Sequence, residues 1–304
     1  MKVFIAGGTG FIGQALIRKL IQEGHAVTAL ARNPDKLGDL AAQIRMVPGS
    51  PLIPGPWQQK LANHEVIINL TGASSFTRWT PAAKKIILHS RITATRNIVE
   101  AIPGKGPSPV TLINASASGF YGFCQDEEKY ETAPSGTGFL ASVCQAWEKE
   151  ALQAQGKARV LLLRTGVVLG KNGGALAAML PAFRLGLAGR LGHGQQWFPW
   201  IHLDDLTSAI IFLMENKAIH GPVNLSAPRP VRNKEFTKCL GQTLHRPTFL
   251  TVPRFAIRLV LGEMSSVLLE GCRMMPGVLL ENGFTFRFPE VAPAVEEIVE
   301  KNKG

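Results

Sequence analysis

The amino terminus joins a short apolar run, KVFIA, directly to the glycine-rich stretch GGTGFIG and then to a helical pattern. Its glycines have the spacing G-x-x-G-x-x-G between a predicted strand and a predicted helix. Such glycines let the backbone turn sharply and approach a pyrophosphate, which the amino terminus of the helix attracts. The motif therefore predicts a dinucleotide-binding turn, built from Gly7, Thr9, Gly10, Phe11, Ile12 and Gly13.

Short apolar runs alternate with helical segments over about the first 170 residues. The runs are almost continuously apolar, as is typical of parallel strands that helices cover on both faces. This alternation predicts an α/β fold, a Rossmann doubly wound parallel sheet. The predicted strands are KVFIA, AVTAL, IRMV, EVIINL, VTLINAS and ARVLLLRTG.

The second half has a different pattern, with glycine-broken helical segments and few strand signals. It predicts a smaller α+β lobe that binds the substrate. We expect a nucleotide-binding domain over 1–170 and this lobe over 171–304, with some of the chain returning to the sheet. Within the lobe we predict a helix capped by Asp204 or Asp205, a helix that begins at Asn233 and a short strand in GFTFRF.

The end of the second predicted strand indicates which dinucleotide binds. NAD-binding proteins often place an acidic residue there, which binds the ribose 2′-hydroxyl. This chain has Ala31 and Arg32 instead, with Arg32 standing 19 residues after Gly13. A carboxylate would repel a 2′-phosphate, whereas a guanidinium pairs with it. The sequence therefore favours NADP(H) over NAD.

The overall charge is strongly positive, because 33 Lys and Arg oppose 22 Asp and Glu. No three basic residues are consecutive, so the pattern favours a basic surface around an anionic small-molecule site over nucleic-acid binding. The four cysteines lie far apart, which indicates neither a disulfide framework nor a metal site. No apolar stretch is long enough to span a bilayer. We expect a cytoplasmic protein with no membrane partner, and the oligomeric state stays open.

Taken together, these motifs resemble the extended short-chain dehydrogenase/reductase superfamily of NAD-dependent epimerases and dehydratases. More narrowly, they resemble its atypical "epimerase family" proteins, the SulA-like cell-division-inhibitor homologues. The resemblance spans essentially the whole chain and is carried by GGTGFIG, NLTGAS, SRITATRNI, SASGFYG, RTGVVLG and FPWIHLDDL.

The resemblance implies further contacts to the cofactor beyond the glycine turn. Leu70, Thr71 and Gly72 would line the adenosine and ribose. Arg91 would be a second basic contact, and Val167 would lie near the nicotinamide.

The catalytic pair of that superfamily is missing. Its chemistry uses a tyrosine and a lysine four residues later on one helix, where the lysine lowers the pKa of the phenol. No Y-x-x-x-K occurs in this chain. In the corresponding helix the two slots hold either Phe139 with Val143 or Leu140 with Cys144, depending on the register.

Other side chains are candidates for a replaced proton donor. Ser118 and Tyr121 follow the fifth predicted strand, at the edge of the sheet where ligands bind. His202 and Cys144 are further candidates, and each of the four has a purely structural alternative. The expected lining of the substrate cleft is Arg78, Trp79, Arg184, Trp197 and Trp200.

Two functions remain open at this point. The intact cofactor motif favours an NADP-dependent oxidoreductase or epimerase that acts on a small molecule, anionic or sugar-like. The missing Tyr-x-x-x-Lys pair favours a non-catalytic protein that senses NADPH and regulates a partner.

Overall fold

The computed structural model describes residues 1–104, 110–171 and 173–300. Within these residues the strands are β1 (Lys2–Ala6), β2 (Ala26–Ala31), β3 (Arg45–Pro48), β4 (Val66–Asn69), β5 (Val110–Ala117), β6 (Glu128–Lys129), β7 (Ala158–Thr165), β8 (Val167–Leu169), β9 (Gly189–Leu191), β10 (Trp197–Phe198), β11 (Trp200–His202), β12 (Gly221–Leu225), β13 (Val231–Arg232), β14 (Leu250–Val252) and β15 (Arg273–Met274).

The α-helices of the same residues are α1 (Phe11–Gln22), α2 (Pro81–Ala101), α3 (Phe139–Leu152), α4 (Gly174–Arg184), α5 (Leu203–Glu215), α6 (Asn233–Thr243), α7 (Arg254–Leu261), α8 (Ser265–Leu269), α9 (Gly277–Glu281) and α10 (Val291–Glu300). The 3-10 helices lie at Pro34–Gln43, which Gly38 interrupts, and at Pro56–Asn63, Ser118–Tyr121 and Gly262–Met264.

The central sheet is parallel and has the strand order β12-β7-β5-β4-β1-β2-β3. All six strands predicted from the sequence are present in it, as β1 to β5 and β7, and the Rossmann α/β fold is confirmed. The strand order reverses between β1 and β4. In such sheets ligands bind in the crevice outside the carboxyl ends of the strands at this reversal.

Successive residues of β1 show how the sheet is covered on both faces. Val3 and Ile5 pack with α1 and α5 on one face, whereas Phe4 and Ala6 pack with α2 and α3 on the other. All four are fully buried. Because side chains alternate along a strand, a strand covered on both faces buries both sets of side chains, which favours apolar residues at successive positions.

The second half of the chain forms the smaller lobe, whose core contains Leu176, Phe183, Phe236 and Ile298. One segment returns to the sheet, since β12 pairs with β7 as its outermost strand. Residues 172 and 301–304 of the predicted lobe lie outside the described residues. The division near residue 170 therefore stays a prediction for the lobe as a whole.

Two local predictions around α5 are wrong. The N-cap of α5 is His202, whose Nδ1 accepts a hydrogen bond from the amide of Asp204 at 3.1 Å. GFTFRF forms no strand, because the amides of Arg287 and Phe288 donate to the buried carboxylate of Asp205, at 2.8 and 2.9 Å, rather than to a neighbouring strand.

Candidate functional site

The glycine turn between β1 and α1 is too tight for any other residue at two of its positions. Gly7 has a φ of +90°, and the amide of Gly10 donates to its carbonyl oxygen at 3.1 Å. A Cβ on Gly13 would lie 2.4 Å from that same oxygen. These contacts explain the first and third glycines of the G-x-x-G-x-x-G spacing by close backbone packing.

The amino terminus of α1 is free to receive an anion. No side chain among the described residues caps it, and its first turn contains no acidic residue. The first amides of a helix have no intrahelical acceptor and lie at the positive end of the helix dipole. The start of α1 therefore fits the phosphates of a dinucleotide.

Phe11 connects this turn to the smaller lobe. A Cβ added to Gly173 would lie 2.2 Å from the ring of Phe11, and one added to Gly174 would lie 2.9 Å from it. The ring therefore packs directly against these two glycines. Ile12 packs against the core on the other side. Phe11 and Ile12 thus hold the turn between the sheet and the segment that begins α4.

Arg32 stands exposed at the end of β2 and has no ion-pair partner among the described residues. Ala31 before it is buried. An exposed, unpaired guanidinium at this edge of the sheet fits a 2′-phosphate, because it can offer a bidentate pair without first breaking another.

Buried amides hold the loop after β4. Asn69, which has no exposed surface, donates through Nδ2 to Asn114 Oδ1 at 2.7 Å and to Thr95 Oγ1 at 2.9 Å. Its Oδ1 accepts hydrogen bonds from the amide and the hydroxyl of Thr71. Leu70 lies against Gly7 through its backbone carbonyl carbon. The structure thus brings Leu70 and Thr71 next to the glycine turn.

Arg91 lies beneath the same loop. Its Nη1 donates to the carbonyl oxygens of Ala73 and Ile87 at 3.0 and 2.9 Å, and its guanidinium lies over the ring of Trp147. A Cβ on Gly72 would lie 3.0 Å from the guanidinium carbon. Burial lowers the pKa of Arg91. Arg91 therefore supports the loop that contains Gly72, and its contact to the cofactor stays a prediction.

Ser118 and Val167 line one narrow cavity of about 100 Å³ between the sheet and the smaller lobe. Aromatic side chains form much of its wall, among them Phe76, Trp197 and Phe198. Gly119, Gly122, Phe123, Leu140 and Glu270 also line a wider neighbouring cavity of about 510 Å³, which Trp79 and Phe139 enclose on its other side.

One residue that lines the narrow cavity, Gln196, has an unpartnered acceptor. Gln196 is 9% exposed, and its Nε2 donates to the carbonyl oxygens of Leu191 and Leu268 at 3.1 and 2.9 Å. Its Oε1 is buried and has no hydrogen-bond partner within the described ranges. Buried polar atoms almost always have a partner, so this oxygen is a candidate acceptor for a donor group that enters the cavity. Sequence reasoning missed Gln196, because nothing in LGHGQQWF marks it.

The register of α3 shows which two residues occupy the positions of the missing tyrosine and lysine. A Cβ on Gly119 would lie 3.0 Å from the Cβ of Leu140 and 3.8 Å from the Sγ of Cys144. Of the two alternatives, Leu140 with Cys144 therefore faces the 3-10 helix that begins at Ser118. Burial raises the pKa of Cys144 to about 11, so the thiol stays protonated near neutral pH.

Tyr121 does not face the cavity, and its interpretation as a proton donor there is not supported by the geometry. The side chain is 2% exposed, and its hydroxyl donates to Asn224 Oδ1 at 2.6 Å while it accepts from Arg164 Nη1 at 3.0 Å. Burial raises its pKa to about 12. Both hydrogen-bonding functions of the phenol are occupied, which assigns Tyr121 a structural role and leaves Ser118 as the candidate.

The partners of Tyr121 belong to a buried network around one ion pair. Arg164 on β7 makes a bidentate pair with Glu148 on α3, at 2.9 and 3.0 Å, and both side chains are 6% exposed. Ser116 donates to Glu148 at 2.6 Å, and Arg164 also donates to the carbonyl oxygen of Glu131. We name these residues and Tyr121 the buried ionic network. The sequence signal for this network is Arg164 within the apolar run VLLLRTG, because a charge in a buried strand needs a partner.

The remaining candidates are His202 and the residues expected to line the substrate cleft. His202 caps α5 and its Nε2 lies 3.4 Å from Glu297 Oε2, and burial lowers its pKa. Trp79 and Trp197 line the two cavities as expected. The expectation is wrong for Trp200, which is 1% exposed in the core of the lobe, and for Arg184, which is exposed at the end of α4. Arg78 lies exposed beside Gly262.

Two family descriptions match the sequence. The NAD dependent epimerase/dehydratase family matches residues 3–225, and a domain of unknown function, DUF1731, matches residues 252–298. The first match covers the central sheet except its first residue, Lys2, and includes Ser118 and Val167. The second covers α7 to α9 and most of α10.

Similar proteins occur in plants and bacteria. The "Epimerase family protein SDR39U1 homolog, chloroplastic" of Arabidopsis thaliana is 40% identical over 306 residues, which cover 99% of this chain and 87% of the relative. An epimerase family protein of Staphylococcus aureus is 35% identical over 302 residues, 98% of each chain. The plant relative is named for the chloroplast, and the cytoplasmic location of this chain stays a prediction.

Among solved structures, the chain is similar to the human epimerase family protein SDR39U1 (isoform 2), crystallised with NADPH. The two share 32% identity, the TM-score is 0.87, and the match covers 99% of each chain. This similarity extends over both the sheet and the smaller lobe.

Proposed function

Because the chain belongs to the NAD dependent epimerase/dehydratase family, we propose that it binds NADP(H) and moves a hydride between the nicotinamide and a small molecule. The glycine turn and the uncapped start of α1 would hold the phosphates, and Arg32 would pair with the 2′-phosphate. The NADPH in the human relative supports this choice of cofactor. When bound, NADPH would supply the hydride.

The cavity shared by Ser118 and Val167 is the observation that carries this proposal. The family resemblance assigns Val167 to the neighbourhood of the nicotinamide, so a substrate in the same cavity would lie beside the reacting ring. Aromatic walls and the unpaired Gln196 Oε1 suit a ring-shaped substrate that carries a hydroxyl group. Ser118 is the remaining candidate for contact with a substrate hydroxyl.

Arg32→Glu should change the cofactor preference. We expect NADPH to bind about tenfold or more weakly, because a charge-assisted pair is replaced by repulsion, and we expect relatively better binding of NADH. Fluorescence titration of the reduced nicotinamide measures both affinities. Arg45→Glu is the matched control, since Arg45 is also exposed but stands at the amino end of β3, opposite Thr28 and away from the carboxyl ends of the strands. Equal NADPH affinity in the Arg32 variant would contradict the role of Arg32.

Label transfer tests the hydride chemistry itself. Stoichiometric protein is loaded with NADPH deuterated on either face of C4 and mixed with a desalted metabolite extract, and mass spectrometry then detects deuterated products. We expect a protein-dependent product whose yield falls in Gln196→Leu and in Ser118→Ala, while Ser142→Ala, an exposed α3 control, behaves as the wild type. The stoichiometric amount matters because an epimerase recycles its cofactor.

A second function is favoured by the register of α3. Leu140 and the protonated Cys144 cannot exchange protons as the tyrosine and lysine of the superfamily do. In this alternative the protein senses NADPH and binds a partner according to occupancy, and linkage requires that the partner change the NADPH affinity by the same factor. Bound NADPH without label transfer, together with a partner recovered at different yield with and without NADPH, would support it over hydride transfer.

A further inference from the structure

The smaller lobe exposes more of its large apolar side chains to solvent than the rest of the described chain does. Six of them are 65–81% exposed, whereas elsewhere among the described residues only Ile53, at 67%, is exposed to this degree. Isolated apolar side chains are normal on surfaces, but a group of this kind marks an interaction site. We call this group the basic apolar face and define it by Leu185, Leu187, Phe249, Phe255, Leu259 and Val260.

Backbone pairing brings the three segments of this face together. Strand β9, which follows Leu187, pairs with β14, and Gly189 forms a bridge with Phe249. A Cβ on Gly186 would lie 3.8 Å from the ring of Pro247. Helix α7 begins directly after β14 and Pro253. Its side chains at Phe255 and Leu259, four residues apart, share one side of the helix.

The charge of the same segments has one sign. Residues 181–192 and 244–261 contain five arginines and no aspartate or glutamate. Arg184, Arg190, Arg246 and Arg258 are exposed and form no ion pair within the described residues, whereas Arg254 pairs with Glu270 at 3.8 Å. The face therefore combines protruding apolar side chains with a strong local positive charge.

We infer that the basic apolar face binds the surface of a membrane that contains anionic lipid. A short helix with Phe and Leu between arginines lies well at the boundary of headgroups and acyl chains, where arginine side chains extend to the headgroups. A second copy of this chain does not suit this face, because a two-fold symmetric contact would place the arginines of the two copies against each other. No helix in the described residues is long and apolar enough to cross a bilayer, so binding would be confined to one surface. This inference departs from the sequence-based expectation of no membrane partner, because the apolar side chains and arginines of the face lie in separate segments that come together only in the folded lobe.

Vesicle sedimentation of the full chain tests this inference. We expect binding to vesicles of equal parts phosphatidylglycerol and phosphatidylcholine, weaker binding at high salt, and little binding to phosphatidylcholine alone. Phe255→Ser with Leu259→Ser should weaken the binding more than about tenfold, since both lost side chains would be buried in the interface. Arg184→Gln with Arg246→Gln should weaken it at low salt.

Ile53→Ser with Ile86→Ser is the matched control, because both residues are exposed on other surfaces, and it should bind as the wild type. Circular dichroism and the urea midpoint show that each variant is folded. Absence of vesicle binding, or equal binding by the Phe255 and Leu259 double variant, would overturn the inference. So would light scattering that reports a dimer lost in that variant, or capture of an acidic protein through this face without vesicle binding.

Discussion

Replacing Arg164 by methionine is expected to lower the free energy of unfolding by about 3–5 kcal/mol. The substitution leaves the carboxylate of Glu148 buried, at 6% exposure, and within the described residues only Ser116 still donates to it. It also removes the donor to Tyr121 and to the carbonyl of Glu131. Breaking a buried pair by removing one partner is costly because a charge is left uncompensated. Urea unfolding followed by circular dichroism measures the loss.

The double variant Arg164→Met with Glu148→Met is the control for this prediction. Removing both charges leaves no unpaired ion, so we expect the double variant to be more stable than the single Arg164 variant. A single variant within about 1 kcal/mol of the wild type would show that water reaches Glu148, which would contradict the buried position of the pair.

Gly13→Ala is expected to weaken NADPH binding about 100-fold or more, which corresponds to about 2.8 kcal/mol. The added methyl would lie 2.4 Å from the carbonyl oxygen of Gly7 and 2.7 Å from the Cα of Gly8, so the turn must open. Opening it moves the amides at the start of α1 and also lowers stability by about 1–3 kcal/mol. Fluorescence titration and urea unfolding measure the two effects.

Gly10→Ala separates loss of binding from loss of structure. A Cβ on Gly10 would contact the protein only at the Gly7 oxygen, at 3.4 Å, so this variant should keep the wild-type stability. It should nevertheless lose NADPH affinity, because the methyl stands on the turn that a pyrophosphate approaches. Wild-type NADPH affinity in both glycine variants would refute the assignment of this turn to the cofactor.

The sheet and the cofactor turn could be predicted because their signals are local. The six predicted strands of the central sheet are almost continuously apolar runs, and the glycine spacing and Arg32 lie within one strand–helix–strand segment. The strands of the smaller lobe are two or three residues long, too short for periodicity to mark them. Their places depend on pairs such as β9 with β14, which only the folded chain brings together.

The errors at the candidate site have a common physical cause. Tyr121 stands at the expected edge of the sheet, but Arg164, 43 residues later, turns its hydroxyl into the interior. The orientation of the Gln196 side chain, and so its unpaired oxygen, likewise depends on a distant segment, because Nε2 of Gln196 donates to the carbonyl oxygen of Leu268. Which polar atoms are satisfied is a tertiary property, and no spacing in the sequence reveals it.

The position of the buried ionic network limits how the two lobes can move. Asn224, which holds Tyr121, also donates to the carbonyl oxygen of Met275 in the smaller lobe at 2.8 Å, and Glu131 accepts from the amide of Val278 at 3.1 Å. Separating the lobes would expose these polar atoms and break the contacts together. We therefore expect the lobes to unfold as one cooperative unit with a single thermal transition, and a ligand to enter the cavity through loop and side-chain motion rather than by hinge opening.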